Sequence, residues 1–303
     1  MILTPNDLLR RILDTKAVSI WDHEKGPIFW YAASIPGPFY VNTELVLGKE
    51  LSSTLLQEIT SIIADTPEPA IRAKLLEALI MESYEKDSFF KNITETLVAK
   101  LKDSCPEGSY DAISGGERRD WLFSIPMAKL LGIKHIYLFK NGDLFCAEGI
   151  ESGERAVHVA DLINNAASHF DAWLPALAKH GLTCPVAMAI NSRGHNGVDR
   201  LKANGQNVLT LNSVTIEFFE SCCEQGLVSQ AVVDELRIFF ESPEKWASTY
   251  LMGKPALFNV AAIDDKSFSR LCTFFEKDPW NLRANHEAFF KEMEAAIAAR
   301  QGA

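Results

Sequence analysis

After Ser109 the chain alternates short apolar runs with helical stretches, and this rhythm narrows its fold more than any other feature. The runs are Asp111–Ser114, His135–Phe139, Ala156–Asp161, Pro185–Asn191 and Val208–Asn212. Helical spacing fills Trp121–Leu131 and Ser168–His180, with a short helix near Val198–Ala203. Apolar strands without polar alternation are buried on both faces. The expectation is therefore an α/β fold, a Rossmann-like, mostly parallel sheet flanked by helices. Ligands of such sheets sit at the carboxyl ends of the strands. In the Asp111–Lys140 stretch the first strand runs into Gly115-Gly116-Glu117-Arg118-Arg119-Asp120, and the second ends at Lys140. Cations at both strand ends suggest an anion site.

The flanking segments read differently. Thr4-Pro5-Asn6-Asp7 starts a helix: Thr4 can cap, Pro5 suits the first helical position and Asp7 the positive end of the dipole. From Val18 to Leu47, aromatic and β-branched runs broken by Gly26-Pro27 and Pro36-Gly37-Pro38 predict short strands in a small antiparallel lobe. Helices follow at Glu50–Ala64, Ala70–Tyr84 and Phe89–Leu101. Further helices are expected at Thr215–Gln225, Gln230–Ser242, Phe268–Glu276 and Asn285–Arg300. The resulting division is residues 1–48 as N-terminal helix and lobe, 49–108 as a helical insertion, 109–214 as the α/β core and 215–303 as C-terminal helices. Between Lys140 and Arg155, turn formers predict a mobile loop.

A chain of 303 residues can bury a sizeable core. Its formal net charge of −10 argues against non-specific binding to nucleic acid or to an anionic membrane, both of which need a basic surface. Cys105, Cys146, Cys184, Cys222, Cys223 and Cys272 form no C-x-x-C pair and no zinc spacing, which fits reduced thiols. No apolar run reaches the roughly 18 residues of a membrane span. No charged start followed by an apolar run marks a secretory signal, so the expected location is the cytoplasm.

A second stretch, Val157 to Ser168, takes an apolar strand to Asp161 and then through Asn164-Asn165-Ala166-Ala167 to a helix start. Backbone N–H groups and the helix dipole at such a turn can hold a phosphate, although the same pattern also serves as an ordinary strand end before a helix. Asp264-Asp265 imitates it after Val260–Ile263 but lacks a phosphate loop, and reads as a helix N-terminus. No G-x-G-x-x-G, Walker A, G-x-S-x-G or H-E-x-x-H occurs. The seven histidines do not cluster along the chain.

Taken together, four stretches resemble the type I phosphoribosyltransferases, and the orotate enzymes in particular. Asp111–Lys140 is similar to that family's pyrophosphate-loop region, and Val157–Ser168 to its phosphoribosyl-diphosphate motif. Phe29–Asn42, with Gly37-Pro38-Phe39-Tyr40-Val41-Asn42, resembles its hood segment. Ile190–Gly197 is similar to the turn that closes over the base. The order of all four matches the family, over roughly residues 1–215.

The resemblance implies a phosphoribosyltransferase-like fold with an N-terminal hood. It also implies transfer of a phosphoribosyl group from phosphoribosyl diphosphate to a pyrimidine-like base, with Mg2+, in a homodimer. Carried onto this sequence, it has Arg119 hold the pyrophosphate, with Arg118 as a second contact and Lys140 as the basic residue after the second strand. Asp161 would bind a ribose hydroxyl and, with the substrate pyrophosphate, Mg2+. Asn164, Asn165, Ala166, Ala167 and Ser168 would cradle the 5′-phosphate. Arg193 would lie against the base, and Phe39 and Tyr40 would line the hood.

The sequence also departs from the family. Ala160 stands where the first of two acids belongs, and Ala32 where orotate enzymes tend to carry a lysine. Ala166 replaces a glycine and lacks its freedom at positive φ, so the loop is expected to take a different or tighter shape. Asp120 sets a negative charge beside the expected pyrophosphate. The mobile Lys-x-His-Gly loop has no counterpart in the acidic segment 141–154. Loss of such catalytic donors commonly costs on the order of 10² to 10³ in rate. Three readings stay open: an orotate-phosphoribosyltransferase-like enzyme; a non-catalytic regulatory module on the same fold that binds a nucleotide or phosphoribosyl diphosphate; and an assembly role for the C-terminal helices.

Overall fold

The computed structural model describes residues 2–22, 25–26 and 28–302, so Pro27 of the expected Gly26-Pro27 turn lies outside the described residues. The chain begins with α1 (Pro5–Asp14), β1 (Val18–Ile20), β2 (Phe29–Trp30), β3 (Pro36–Gly37) and β4 (Phe39–Val41). Three helices follow, α2 (Lys49–Asp65), α3 (Pro69–Lys86) and α4 (Ser88–Ser104). Next come β5 (Ala112–Gly116), α5 (Trp121–Leu131), β6 (Lys134–Leu138), β7 (Leu144–Phe145) and β8 (Arg155–Ile163). After them lie α6 (Leu174–Lys179), β9 (Thr183–Arg193), α7 (Asn196–Ala203) and β10 (Asn207–Val214). The chain closes with α8 (Ile216–Glu224), α9 (Gln230–Glu241), α10 (Pro243–Tyr250), α11 (Asp265–Lys277) and α12 (Arg283–Gln301).

Two compact units form: Met1–Ala17 with Asn42–Phe218, and Val18–Val41 with Phe219–Ala303. The short N-terminal strands thus share a unit with the C-terminal helices, and the helical segment 49–108 shares one with the α/β core. Sequence order keeps these pieces apart, whereas their apolar faces group them.

The first unit is built on a six-stranded sheet in the order β10-β9-β8-β5-β6-β7. All neighbours run parallel except β7, which is antiparallel to β6. β7 lies in the segment expected to be a loop, where two residues offer no periodicity to read. β5 is buried throughout and β8 from Ala156 to Asp161, as a sheet covered on both faces requires. Alternate residues of β6 show the two covers. Ile136 and Leu138 join Ala112, Ala156, Trp173 and Leu177 in one cluster. Tyr137 instead meets Trp121 of α5, with ring centroids 6.0 Å apart, and donates its hydroxyl to the Ala73 carbonyl of α3 at 3.3 Å. α5 is buried from Trp121 to Ala128 because α3 and α4 close over it. Leu76, Ile80, Phe90, Ile93 and Leu97 supply that contact at 0% exposure. Each such side chain contributes about 1.5–3 kcal/mol, so the helical segment is integral to this core. α1 starts as its sequence predicts, with the Asp7 N–H donating to Thr4 Oγ1 and the Thr4 N–H to the Asp7 carboxylate.

In the second unit, β1 pairs antiparallel with β4 and β2 with β3. Aromatic rings fill the space between these ribbons and the helices. Phe39 lies 5.3 Å from Phe219 and 5.5 Å from Phe240, ring centre to ring centre, and Trp30 lies 5.8 Å from Phe274. The Glu235 carboxylate is buried among them, where its Oε1 accepts the indole N–H groups of Trp21 at 2.5 Å and Trp246 at 2.8 Å. α10, which the periodicity of so short a segment does not reveal, starts at a Ser242 cap followed by Pro243. Asp264 caps α11 by accepting the Ser267 N–H at 3.0 Å, as its Asp-Asp pair predicts. Among the described residues no helix is long and apolar enough to cross a membrane.

Candidate functional site

β5 and β8 ladder together only as far as Ser114 opposite His158. Beyond that point β5 stays with β6 to Gly116 opposite Leu138, while β8 stays with β9 to Ile163 opposite Ser192. The sheet therefore splits at its carboxyl edge, the position where parallel sheets receive ligands. The turn after β5 contains a cis peptide between Glu117 and Arg118 and delivers Arg119 and Asp120 to the split. Arg119 Nη1 lies 3.2 Å from Glu44 Oε2, and its Nε lies 3.5 Å from Asp161 Oδ2. The Arg119 side chain is 44% exposed, while Glu44 and Asp161 are 10% and 7% exposed. Asp161 raises the Arg119 pKa above its ordinary value, with Glu44 adding to it and burial opposing. Burial raises the Asp161 carboxyl, and Arg119 works against that rise.

Asp120 lies inside the split. Its Oδ2 accepts the Gly116 N–H at 3.1 Å and its Oδ1 accepts the Asp161 N–H at 3.0 Å. Burial, reinforced by the Asp161 carboxylate, pushes Asp120 well above the usual carboxylate range. Trp173 closes over Gly116, where a Cβ would come within 2.3 Å of the indole, so only glycine fits.

The other expected residues divide. Arg118 turns away from the split to α2, donating to the Leu56 carbonyl at 3.2 Å and to Thr60 Oγ1. Lys140 stands beside the Arg119 turn, its main-chain N–H donating to Glu117 Oε2 at 3.1 Å. In the Asn164–Ser168 loop, Ala166 adopts φ +57°, so alanine takes the left-handed shape that was expected to require glycine. The Ala167 N–H is engaged by Asn165 Oδ1 at 3.0 Å, and the Asn165 carbonyl accepts from Arg200 at 2.5 Å. Gly197 lets α7 approach, since a Cβ there would meet the Asn164 carbonyl at 2.2 Å. Arg193 ends β9 opposite Val214. In the second unit, Phe39 is spent on the aromatic core at 1% exposure. Tyr40, 39% exposed, lies 5.8 Å from Phe29 between ring centres.

Sequence reasoning missed Glu44, whose only signal was an acid immediately before the apolar run Leu45–Leu47. It also missed Asn191, fully buried, which donates to Thr43 Oγ1 at 3.1 Å and accepts from Asn212 at 2.9 Å. Two of the histidines, dispersed along the chain, meet in the fold. His158 and His169 lie 4.9 Å apart, ring centre to ring centre, close against the split. His158 Nδ1 meets Ser114 Oγ at 3.1 Å, and its Nε2 lies 3.8 Å from Asp120 Oδ2. Burial holds His158 well below its ordinary value and His169 at about 4, so both are neutral at pH 7. His135, on the opposite side of the sheet near α5, is held at about 3 and meets Ser124 Oγ at 2.9 Å. Among the described residues no three His, Cys, Asp or Glu side chains converge as a metal-holding group.

No family model and no curated protein matches the sequence. The fold does have solved counterparts. UMP synthase of Leishmania donovani superposes with a TM-score of 0.53 at 11% identity over 78% of this chain. The chain spans only 42% of that protein's length. Orotate phosphoribosyltransferase of Francisella tularensis superposes with a TM-score of 0.52 at 9% identity, covering 77% of this chain and 96% of its own. The strand order, the split between β5 and β8 and these superpositions lead to one conclusion: the chain has the type I phosphoribosyltransferase fold.

Proposed function

We propose that the chain binds a phosphorylated ribose at the split between β5 and β8. On this reading it acts as an orotate-phosphoribosyltransferase-like enzyme, transferring phosphoribosyl from phosphoribosyl diphosphate to a pyrimidine-like base. The observation that carries the proposal is Arg119 presented at the carboxyl edge of the sheet against the buried Asp161, whose Oδ2 has no hydrogen-bond partner. Displacing pyrophosphate builds positive charge on the sugar and negative charge on the leaving group. A preorganised guanidinium and a nearby carboxylate stabilise the two. Arg119 would take the pyrophosphate, Asp161 a ribose hydroxyl and Arg193 the base. Lys140 and the Asn164–Ser168 loop would contribute at the phosphates. With no metal-holding cluster of its own among the described residues, the chain would receive Mg2+ on the substrate diphosphate, with the Asp161 carboxylate as its protein contact. When bound, the ion would neutralise charge on the leaving group. A homodimer belongs to the same reading.

Calorimetric titration with phosphoribosyl diphosphate and with a nucleoside 5′-monophosphate tests the site, and no heat from either at millimolar ligand removes it. A second reading, a non-catalytic binding module, is favoured by Asp120, whose carboxyl fills the split. Pyrophosphate release on adding orotate or another base, lost in Arg119→Ala and Asp161→Asn, decides for the enzyme.

A further inference from the structure

Where β5 and β8 part, two main-chain N–H groups, those of Gly116 and Asp161, converge on one place and would otherwise lack a partner in the sheet. Paired N–H groups at strand ends are an anion-binding device. In this chain an internal carboxyl group satisfies both, because Asp120 places one oxygen on each at 3.1 and 3.0 Å. The residue is 8% exposed, and Trp173 covers the Gly116 side. Around it the carboxyl groups of Glu44, Asp120 and Asp161 face one guanidinium, that of Arg119. Acids outnumber the cation in the site.

We infer that Asp120 is a specificity-determining residue that holds the place of a ligand anion at the strand split and so disfavours a diphosphate there. The inference rests on the proposed phosphoribosyl site and adds which part of the ligand that site resists. The two N–H groups that a diphosphate beside Arg119 would draw on are already engaged by the Asp120 carboxyl. A ribose carrying a single phosphate does not need that space. The resting site therefore takes a ribose 5-phosphate or a nucleoside 5′-monophosphate more readily than phosphoribosyl diphosphate, whose diphosphate has to displace the Asp120 carboxyl.

The test is calorimetric titration of inorganic pyrophosphate and of uridine 5′-monophosphate into the full chain and into Asp120→Asn, Asp120→Gly and Glu44→Gln. Circular dichroism first establishes which variants are folded, and the two Asp120 substitutions stand in for one another if either fails. Removing the carboxyl is expected to tighten pyrophosphate about tenfold or more, the value of a main-chain N–H donor freed for a charged ligand. The monophosphate should change far less. Glu44→Gln removes the same charge without freeing the two N–H groups and should not reproduce the gain. An equal gain in Glu44→Gln, or pyrophosphate binding as tight in the unaltered chain as in the Asp120 variants, overturns the inference and leaves the phosphoribosyl site standing. No binding of either compound by any folded protein overturns both.

Discussion

Arg119 and Asp161 meet across the parted strands with Nε 3.5 Å from Oδ2, the guanidinium half-exposed and the carboxylate buried. The pair is longer than a hydrogen bond and leaves the buried carboxylate oxygen without a hydrogen-bond partner. Arg119 is in turn held by Glu44 at 3.2 Å, so its position is set before any ligand arrives. Preorganisation of this kind favours binding because little side-chain freedom is left to lose.

Arg119→Ala is expected to weaken phosphoribosyl diphosphate by about tenfold or more, the value of one lost charge-assisted contact. Arg119→Lys should recover only part of it, since lysine keeps the charge without the planar fork. Calorimetry on the three proteins measures this. Equal affinities would take Arg119 out of the site.

The buried histidines make stability fall with acid. His169 is held at about 4 and His135 at about 3, against an ordinary 6.5. Between those values the unfolded chain binds protons that the native one does not. The stability they protect is complete above pH 6.5 and is lost as the pH falls through 6.5 towards 4, by about 2 kcal/mol per histidine at pH 5. Asp120 and Asp161, raised by burial, act with the opposite sign. Their contribution is full below the ordinary carboxylate range and declines as the pH rises through their native values. His169→Gln should therefore lose less stability than the unaltered chain between pH 7 and pH 5 in urea titrations, and parallel losses would contradict the assignment.

Ala166 at φ +57° carries a side chain in a conformation that costs about 1–2 kcal/mol for residues other than glycine. Glycine relieves this but gives the unfolded chain more freedom, worth about 0.4–1 kcal/mol in the other direction. Ala166→Gly is therefore expected to stabilise the chain by up to about 1 kcal/mol, read from its urea midpoint. A clear loss of stability would show that the methyl group contributes more through packing.

In the second unit, Glu235 Oε1 accepts two buried indole N–H groups. Glu235→Gln keeps a carbonyl oxygen there and should be mild. Glu235→Leu orphans both donors and should cost about 2–5 kcal/mol. Thermal melts of the two variants that coincide would show that Trp21 and Trp246 find other partners.

Several parts of the fold were legible because they rest on neighbouring residues. The Thr4–Asp7 cap, the Asp264 cap and the five apolar strands with their helices follow from spacing along the chain. The Arg119 turn and Asp161 could be singled out because the one follows an apolar run and the other closes one. Elements too short to show a period, β7 and α10, could not be read. Ala166 went against expectation because the loop's surroundings impose a left-handed residue that local preference disfavours.

By itself, the sequence determined an α/β core with acids and cations at its strand ends, since burial pattern and capping are local properties. Only the tertiary structure decided which of them meet. Glu44 reaches Arg119 across 75 residues, Arg118 leaves for α2, and His158 and His169 close on each other. The ribbons of residues 18–41 join the C-terminal helices in one unit. These outcomes depend on long-range packing that spacing along the chain does not encode.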